Sequence, residues 1–185
     1  NNLIKELQKK IEIGTVIKQD TFEKQAKFVY LGIGSNLGDR KINIENAKIM
    51  LSDENVKIIQ ISNYYETPSW PDSNNPKFYN VVIKAKTNLN LLDLLNLCKK
   101  IEKSLGRKKT PKNSPRECDI DILDYNNQFN DKGINVPHPK MHKRNFVLIP
   151  LFEIDKKWRH PISKHHIKSL ILALSHRDIS SIKQI

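Results

Sequence analysis

The sequence has few cysteines and no long hydrophobic run, and both absences narrow its class. Its 185 residues include two cysteines, Cys98 and Cys118, and neither stands in a C-x-x-C pair. This argues against a disulfide framework or a zinc knuckle, so we expect two small core residues in a reducing compartment such as the cytoplasm. No apolar stretch approaches the roughly 18 residues that a transmembrane helix needs, and no secretory signal pattern is visible, so we expect no membrane partner.

Acidic residues are in the minority. The 20 aspartates and glutamates are opposed by 32 lysines and arginines, which gives a formal net charge of +12. A strongly basic chain favours anionic partners such as nucleotides, nucleic acid or a membrane surface. A merely solvated basic surface, in a chain rich in Lys, Asn and Ile, explains the charge equally well.

The chain divides into a short N-terminal arm and one domain. Residues 1–27 are polar and weakly patterned, with Leu3, Leu7 and Ile11 at helical spacing, so we interpret them as an arm or linker. Residues 28–185 are enough for one domain with a sizeable core.

Within the domain, the hydrophobic pattern alternates between strands and helices. Runs rich in β-branched and aromatic residues predict strands over 28–34, 56–67, 78–87 and 116–125. The 3.6-residue period predicts a helix from the Asp39 cap to about Leu51, one over 91–106 that stops at Gly106, and a last one near 165–176. The order β-α-β-β-α-β, followed by an α-rich C-terminal extension, predicts an α+β ferredoxin-like fold with two helices on one face of an antiparallel sheet.

Two aspartates, Asp119 and Asp121, stand in the otherwise apolar segment "RECDIDILDY". Asp is depleted in strands, and side chains two apart share a face, so two carboxylates lie side by side here. The carboxylates repel each other unless a cation neutralises them, and Mg²⁺ binds a few carboxylates while keeping positions for water and phosphate oxygens. For an isolated D-x-D, an exposed strand face wetted by solvent remains the alternative.

Basic residues lead into this strand and favour the metal interpretation. Arg116 directly precedes it, and the loop "RKKTPKNSP" (107–115) carries Arg107 and no apolar anchor. Metal ions and mobile cations are what phosphoryl transfer requires, because its catalysis is mostly positioning and charge neutralisation. The glycines of "GIGSNLGDR" do not form a phosphate-loop motif, since Leu37 stands where G-x-G-x-x-G needs its last glycine, and we interpret them as a tight turn.

A histidine and an arginine in "VPHPKMHKRNF" are weaker candidates. His138 lies between two prolines, and a loop histidine without a catalytic task fits the pattern as well. His138 and His142 have no evident third ligand for zinc. Arg144 suits a phosphate clamp, because a guanidinium grips phosphate with two hydrogen bonds.

Aromatic residues near the middle of the chain suggest a flat ligand. Phe78 and Asn80 share one strand face, where a phenyl ring can stack on a heterocycle and an amide can bind its edge. A core phenylalanine and an edge asparagine fit the same pattern. Trp70, in a proline-rich loop, is a candidate to cover a ligand.

Six segments occur in an order that resembles a known family. They are "YLGIGSNLGDR", "YYETPSW", "KFYN", "IEKSLGR", "PRECDIDIL" and "VPHPKMHKRNFVLIPLFEI". Together they resemble 6-hydroxymethyl-7,8-dihydropterin pyrophosphokinase, a family of folate biosynthesis, over about residues 28–160. The resemblance implies a ferredoxin-like fold, transfer of the β,γ-pyrophosphoryl group of ATP to the pterin hydroxymethyl with release of AMP, and two Mg²⁺ ions that bridge the phosphates.

The resemblance also implies roles for individual residues. The metal ligands would be Asp119 and Asp121, and the catalytic cations beside them would be Arg107 and Arg116. The pterin would be bound by Thr67, Pro68, Trp70, Phe78, Asn80 and Phe146. ATP would be contacted by Lys99, Glu102, Arg116, Ile122, His138 and Arg144.

Three departures from the family pattern concern nucleotide affinity and loop closure rather than the reaction class. Asn113 and Ser114 stand where the family usually has Trp-Gly, so the loop lacks its aromatic plug. Lys99 replaces a common Gln, and an Arg often found before the V-P-H motif has no counterpart near Gly133.

Two questions stay open at this stage. Residues 1–27 fit either the remnant of a fused folate-pathway domain or an ordinary arm, so fusion to or association with another folate enzyme is one expectation. The competing function is a basic ferredoxin-like RNA-binding module, which would show exposed aromatics on a central strand. The segments "VYLGIGS" and "VVIKAKT" do not supply that pattern, so we expect ATP and the pterin as ligands and no nucleic acid.

Overall fold

The structure, a computed structural model, describes residues 26–69, 72–108, 110–111, 113–130 and 132–185, with positions 5, 6, 8–10, 12 and 15 of the N-terminal segment. The predicted helix on Leu3, Leu7 and Ile11, and most of the predicted arm 1–27, lie outside these residues. Among the residues described, no helix has both the length and the apolar character that crossing a bilayer requires.

An antiparallel sheet forms the centre of the domain. Its strands are β1 (Lys27–Ser35), β2 (Val56–Ile61), β3 (Tyr65–Thr67), β4 (Phe78–Thr87), β5 (Asp119–Tyr125) and β6 (Lys183–Gln184). β1 lies between β5 and β4, while β2 and β3 pair one after the other with β4. The edge strand β6 pairs with β3 and was not predicted.

Helices cover both faces of this sheet. They are α1 (Arg40–Asp53), α2 (Leu91–Ser104), α3 (Asn145–Ile154), α4 (Ile167–Leu172) and α5 (His176–Ser181). On the face covered by α1 and α2, Leu31 and Ile120 belong to one buried cluster. On the face covered by α3 and α4, Leu123 and Leu148 belong to a second cluster. The predicted ferredoxin-like α+β fold is therefore confirmed, and the C-terminal extension supplies the second cover.

The residues that we expected to start and stop the predicted helices do so in the structure. The Asp39 carboxylate accepts a hydrogen bond from the Ile42 backbone N–H at 3.0 Å and caps α1. Gly106 has a φ of +106° directly after α2, a conformation that favours glycine.

Cys98 and Cys118 are buried free thiols, and burial raises the pKa of each to about 12. Cys118 lies just before β5, and both cysteines are small buried core residues, as we expected.

The predicted strand 56–67 is wrong in one respect, because it is two strands. At the break, the Ser62 hydroxyl accepts a hydrogen bond from the Val82 N–H at 3.0 Å. The Ser62 N–H donates to the Val82 carbonyl at 2.9 Å. A side chain thus replaces one backbone group in the ladder, and the regular pairing is interrupted.

The single helix predicted near 165–176 is also wrong, because α4 ends at Leu172 and α5 starts at His176. The Ser175 hydroxyl accepts a hydrogen bond from the Asp178 N–H at 3.1 Å. A serine in this role starts a new helix rather than continuing the old one. The apolar segment 145–154, whose secondary structure the sequence left open, forms α3 with Pro150 inside it.

Candidate active site

The two aspartates lie together at the start of β5. Asp119 pairs in register with Gly34 of β1 and Asp121 pairs with Gly32. Both side chains are half-exposed, while Ile120 between them is buried. The carboxylates therefore share one face of the strand, as the alternation predicts, and the neighbouring glycines add no side chain to that face.

Three arginines converge on this pair from three different segments. Arg107 Nη1 lies 2.8 Å from Asp119 Oδ1, and Arg116 Nη2 lies 3.0 Å from Asp119 Oδ2. Arg144 Nη1 lies 3.0 Å from Asp121 Oδ2. The guanidinium groups neutralise the mutual repulsion of the two carboxylates in this structure. The same three guanidinium groups can contact a polyanionic ligand when other cations take their place at the carboxylates.

A glutamate on α2 holds the base of this cluster. Glu102 is 1% exposed, and its Oε1 accepts the Ile120 backbone N–H at 2.8 Å and contacts Arg107 Nη1 at 2.6 Å. Lys99 Nζ lies 3.3 Å from the other Glu102 oxygen, and its own side chain is mostly exposed. Burial lowers the pKa of Arg107, but the attraction of Asp119 and Glu102 outweighs it and raises the pKa overall. Arg107 is therefore a permanent cation tied to both acids.

His138 lies near the second aspartate, Asp121. Its Nε2 lies 4.0 Å from Asp121 Oδ2, too far for a hydrogen bond. Burial lowers the pKa of His138, partly opposed by Asp121, which favours the neutral ring. Its Nδ1 accepts the Lys140 N–H at 3.2 Å, which leaves the proton on Nε2. The imidazole thus presents a neutral N–H donor toward the acidic pair.

Among the described residues, one buried nitrogen atom near the pair has no hydrogen-bond partner. Arg116 Nε is buried and makes no hydrogen bond among the residues that the structure describes. A buried unpaired N–H donor of a guanidinium is costly, and an anionic oxygen would satisfy it. The site is thus incomplete in a way that a phosphate ligand fits.

An apolar and amide-lined region adjoins the cations. The Asn80 side chain on β4 donates to the Thr67 hydroxyl on β3 at 2.9 Å, and both residues are buried. The Arg116 guanidinium carbon lies 5.7 Å from the centre of the Phe78 ring. The Arg144 guanidinium carbon lies 5.4 Å from the centre of the Phe146 ring. Each half-buried phenyl ring is thus linked through one arginine to one of the two aspartates.

The remaining predicted residues differ in their placement. Pro68 is exposed beside Thr67, and Trp70 lies outside the described residues. Ile122 is 6% exposed and belongs to the buried cluster under α1 and α2, so its side chain points away from the carboxylate face. The sequence analysis gave no site role to Gly34, which pairs with Asp119, or to Asn36, whose Oδ1 accepts the Arg116 N–H. The tight turn itself is carried by Gly38, with a φ of +67°.

The donor set can be compared with the needs of a divalent ion. Among the described residues, no group of three or more His, Cys, Asp or Glu side chains is placed to hold a metal. Two adjacent carboxylates alone do not suit zinc, but they suit Mg²⁺, which retains water and takes phosphate oxygens as further ligands. The residues present therefore fit Mg²⁺ that arrives with a nucleotide.

Comparison with known proteins places this chain in a family. The family model described as HPPK, 7,8-dihydro-6-hydroxymethylpterin-pyrophosphokinase, matches residues 30–156. A protein of Aquifex aeolicus named 2-amino-4-hydroxy-6-hydroxymethyldihydropteridine pyrophosphokinase is 45% identical over 141 residues, which are 76% of this chain and 88% of that protein. Folic acid synthesis protein fol1 of Pneumocystis carinii is 36% identical over 155 residues, which are 83% of this chain and 21% of that protein.

A solved structure supports the fold independently. A crystal structure of Plasmodium falciparum HPPK-DHPS with pterin and p-hydroxybenzoate has a TM-score of 0.68 at 17% identity, over 86% of this chain and 46% of that chain. The chain thus spans most of the bacterial relative, about a fifth of the fungal one and about half of the Plasmodium chain. From the matched residues and the identity to the bacterial protein, the chain belongs to the 7,8-dihydro-6-hydroxymethylpterin-pyrophosphokinase family.

Proposed function

We propose that this chain transfers pyrophosphate from ATP to 6-hydroxymethyl-7,8-dihydropterin, giving AMP and the pterin diphosphate in folate biosynthesis. As a member of its family, it is an ATP-dependent pyrophosphokinase. The observation that supports the assignment best is the pair Asp119 and Asp121, ringed by Arg107, Arg116 and Arg144 and adjoining the phenyl rings. A polyphosphate needs the first set of groups, and a flat heterocycle needs the second.

Asp119 and Asp121 are the proposed ligands of two Mg²⁺ ions. The ions, when bound with ATP, would neutralise the phosphate charge and orient the triphosphate. With Mg²⁺ held by the carboxylates, the guanidinium groups that contact them in the present structure would be available for phosphate oxygens, for which their planar forks are suited.

The cations and the neutral histidine would share the work at the triphosphate. Arg107 and Arg116 would stabilise the negative charge at the transferred group, and Arg144 would clamp a phosphate. His138 would donate its Nε2–H to a phosphate oxygen. Lys99 and Glu102 would complete the ATP site on the side of α2, and Ile122 would support it from the buried cluster beneath that helix.

The pterin would lie in the region formed by β3, β4 and the start of α3. Phe78 and Phe146 would stack on the ring, and Asn80, already fixed by Thr67, would bind its edge. Pro68 and Trp70 would line the same pocket. In the reaction the pterin hydroxyl oxygen forms a bond to the β-phosphorus of ATP. The bond between that phosphorus and the oxygen that bridges the α- and β-phosphates breaks, and AMP leaves with this oxygen. The hydroxyl proton passes to water.

Two wider expectations remain proposals. The relatives include a Pneumocystis folic acid synthesis protein and an Arabidopsis folate synthesis bifunctional protein, each much longer than the matched region. We therefore propose that a second folate enzyme is fused to this domain or associated with it.

The cytoplasm stays our expected location, on the grounds given for the cysteines. The names of these relatives give the RNA-binding alternative no support.

The direct test is product analysis. The purified chain is incubated with ATP, Mg²⁺ and 6-hydroxymethyl-7,8-dihydropterin, and nucleotides are separated by chromatography. We expect AMP, and only when both pterin and Mg²⁺ are present. ADP as the product would indicate an ordinary kinase, and no nucleotide product from folded protein would refute the proposed activity.

A further inference from the structure

Asn145 is the first residue of α3 and stands between two residues of the candidate site, Arg144 and Phe146. No role proposed above involves it. It is 9% exposed, whereas asparagine is mostly exposed in proteins. A buried amide needs hydrogen-bond partners, and two partners of this amide lie 33 and 36 positions further along the chain. Asn145 therefore links the start of α3 to a distant element.

That element is the short helix α5. Asn145 Nδ2 donates to the Asp178 carbonyl at 2.5 Å and to the Ser181 hydroxyl at 3.1 Å. The Ser181 hydroxyl also donates to the Asp178 carbonyl at 2.9 Å, so the three groups form a closed set of hydrogen bonds. Asn145 Oδ1 accepts the Phe146 N–H at 2.7 Å, one of the first N–H groups of α3, which have no partner within the helix. One amide thus contacts both α5 and the backbone of Phe146.

The segment that contains α5 reaches the other side of the proposed pterin pocket. We name residues 175–185 the C-terminal bridge, because α5 is followed by β6, which pairs with β3. β3 in turn pairs with β4, and Thr67 of β3 lies opposite Phe78 of β4. The C-terminal bridge therefore joins the helix that carries Phe146 to the strand pair that carries Phe78.

A flat ligand between two phenyl rings is sensitive to the gap between them. Each ligand face needs carbon atoms at about 3.5–4.0 Å, and a gap too wide by about 0.5–1 Å loses a quarter to a half of the dispersion energy. Near Phe146, α3 is also held by the ion pair of Arg144 with Asp121. With Mg²⁺ on Asp121 and a phosphate on Arg144, as proposed above, the Asn145 bonds to the C-terminal bridge would remain.

We propose that Asn145 is a positioning residue through which the C-terminal bridge sets the gap between Phe146 and Phe78. The amide fixes the start of α3 relative to β3, and the two rings then stand at the separation that a pterin needs. Asn145 itself would not contact the substrate. The inference rests on the proposed function, because the ligand between the rings is the proposed pterin.

The test asks whether Asn145 acts through the Phe146 ring. The affinity of the full chain for 6-hydroxymethyl-7,8-dihydropterin is measured by calorimetric titration, with saturating Mg²⁺ and the non-reacting analogue α,β-methylene-ATP. Four proteins are compared: the unmodified chain, Asn145→Ala, Phe146→Ala and the double variant. We expect Asn145→Ala alone to weaken pterin binding about fivefold, because part of the stacking contact is lost. In the Phe146→Ala background we expect it to change the affinity by less than about twofold, since the ring on which it acts is gone.

Asn145→Asp separates the C-terminal bridge from the local bond to Phe146. The carboxylate still accepts the Phe146 N–H, but it cannot donate to the Asp178 carbonyl. We expect this variant to weaken pterin binding as much as Asn145→Ala does. Normal pterin binding by Asn145→Asp would mean that only the local bond matters, and would contradict the proposed role of the bridge.

Asn63→Ala is the matched control. Asn63 Nδ2 donates to Glu153 at 2.6 Å, so this asparagine also ties α3 to another element, but near the opposite end of the helix from Phe146. We expect Asn63→Ala to keep the pterin affinity of the unmodified protein, even if its melting temperature falls.

Two outcomes of the four-protein comparison would overturn the inference. One is an unchanged pterin affinity in Asn145→Ala. The other is an equal loss with and without the Phe146 ring, which would mark a general loss of structure. If Asn145→Ala does not fold, Asn145→Asp takes its place in the same comparison. An unmodified protein that makes AMP while these variants bind the pterin normally refutes the inference alone. A folded unmodified protein that neither binds the pterin nor makes AMP refutes the proposed function, and the inference with it.

Discussion

Gly34 and Asn80 face each other across β1 and β4, and a β-carbon on Gly34 would stand 3.0 Å from the Asn80 Oδ1. The same β-carbon would stand 3.4 Å from the Phe78 ring. We therefore expect Gly34→Ala to push Asn80 out of its contact with Thr67 and to weaken pterin binding by about tenfold, the equivalent of one lost hydrogen bond of about 1.4 kcal/mol. Calorimetric titration with the pterin measures this effect.

Gly32→Ala is the control for that substitution. Gly32 lies two residues earlier in β1, and its β-carbon would meet Leu123 at 3.5 Å, an ordinary van der Waals distance. We expect Gly32→Ala to bind the pterin as the unmodified protein does. If the two variants were equally weak, the loss would come from strand packing in general and not from crowding at Asn80.

Removing one charge from the acidic pair should slow turnover greatly without unfolding the protein. Asp119→Asn and Asp121→Asn keep the shape of the side chain but lose the anionic oxygens that bind Mg²⁺. Because the metal contribution to charge stabilisation is several kcal/mol, we expect the initial rate of AMP formation to fall by about a hundredfold or more. Circular dichroism should show an intact fold, and the exposed Asp53→Asn should react normally. Near-normal rates in both site variants would contradict the metal assignment.

Truncating Phe146 should separate the two substrates. Its ring is half-buried beside Arg144, whose guanidinium carbon lies 5.4 Å from the ring centre. Loss of a stacking surface should weaken pterin binding by about tenfold, and ATP binding by less, because Arg144 still carries its charge. Separate titrations with each ligand check the expectation, with the exposed Phe129→Ala as control. An equal loss for both ligands would count against a pterin sandwich.

The parts of the site that the sequence could predict depend on local periodicity. The side-by-side placement of Asp119 and Asp121 follows from the alternation of side chains along a strand. The helix cap at Asp39 is also local, because its carboxylate binds a backbone N–H only three residues later. The resemblance to a family supplied the remaining candidate residues. The structure brings the three arginines and the acidic pair together, although these residues come from three separate segments of the chain.

The features that the sequence could not predict depend on partners far along the chain. Asn36 contacts Ser69 and Arg116, which are 33 and 80 positions away. Ser62 interrupts a strand because Val82 lies opposite it. Nothing in the neighbouring sequence of Asn36 or Ser62 indicates these contacts. Their roles become visible only when the topology of the sheet places distant loops together.

The interaction of Asp155 with Tyr30 predicts a pH dependence of stability away from the candidate site. The Tyr30 hydroxyl donates to Asp155 Oδ2 at 2.5 Å, and Lys84 Nζ lies 2.9 Å from the same atom. Burial raises the pKa of Asp155, but the bonds from Tyr30 and Lys84 outweigh it and hold the pKa below its ordinary value. The unfolded chain therefore binds this proton more readily, so the stabilisation is complete above the ordinary carboxyl pKa and is lost as the pH falls through the lower folded value. We expect Asp155→Asn to lower the free energy of unfolding by about 2 kcal/mol at neutral pH, with the difference shrinking as the pH falls below the ordinary carboxyl range. Urea unfolding across this range, with Asp53→Asn as control, measures it, and a difference that stays constant with pH would contradict the assigned interaction.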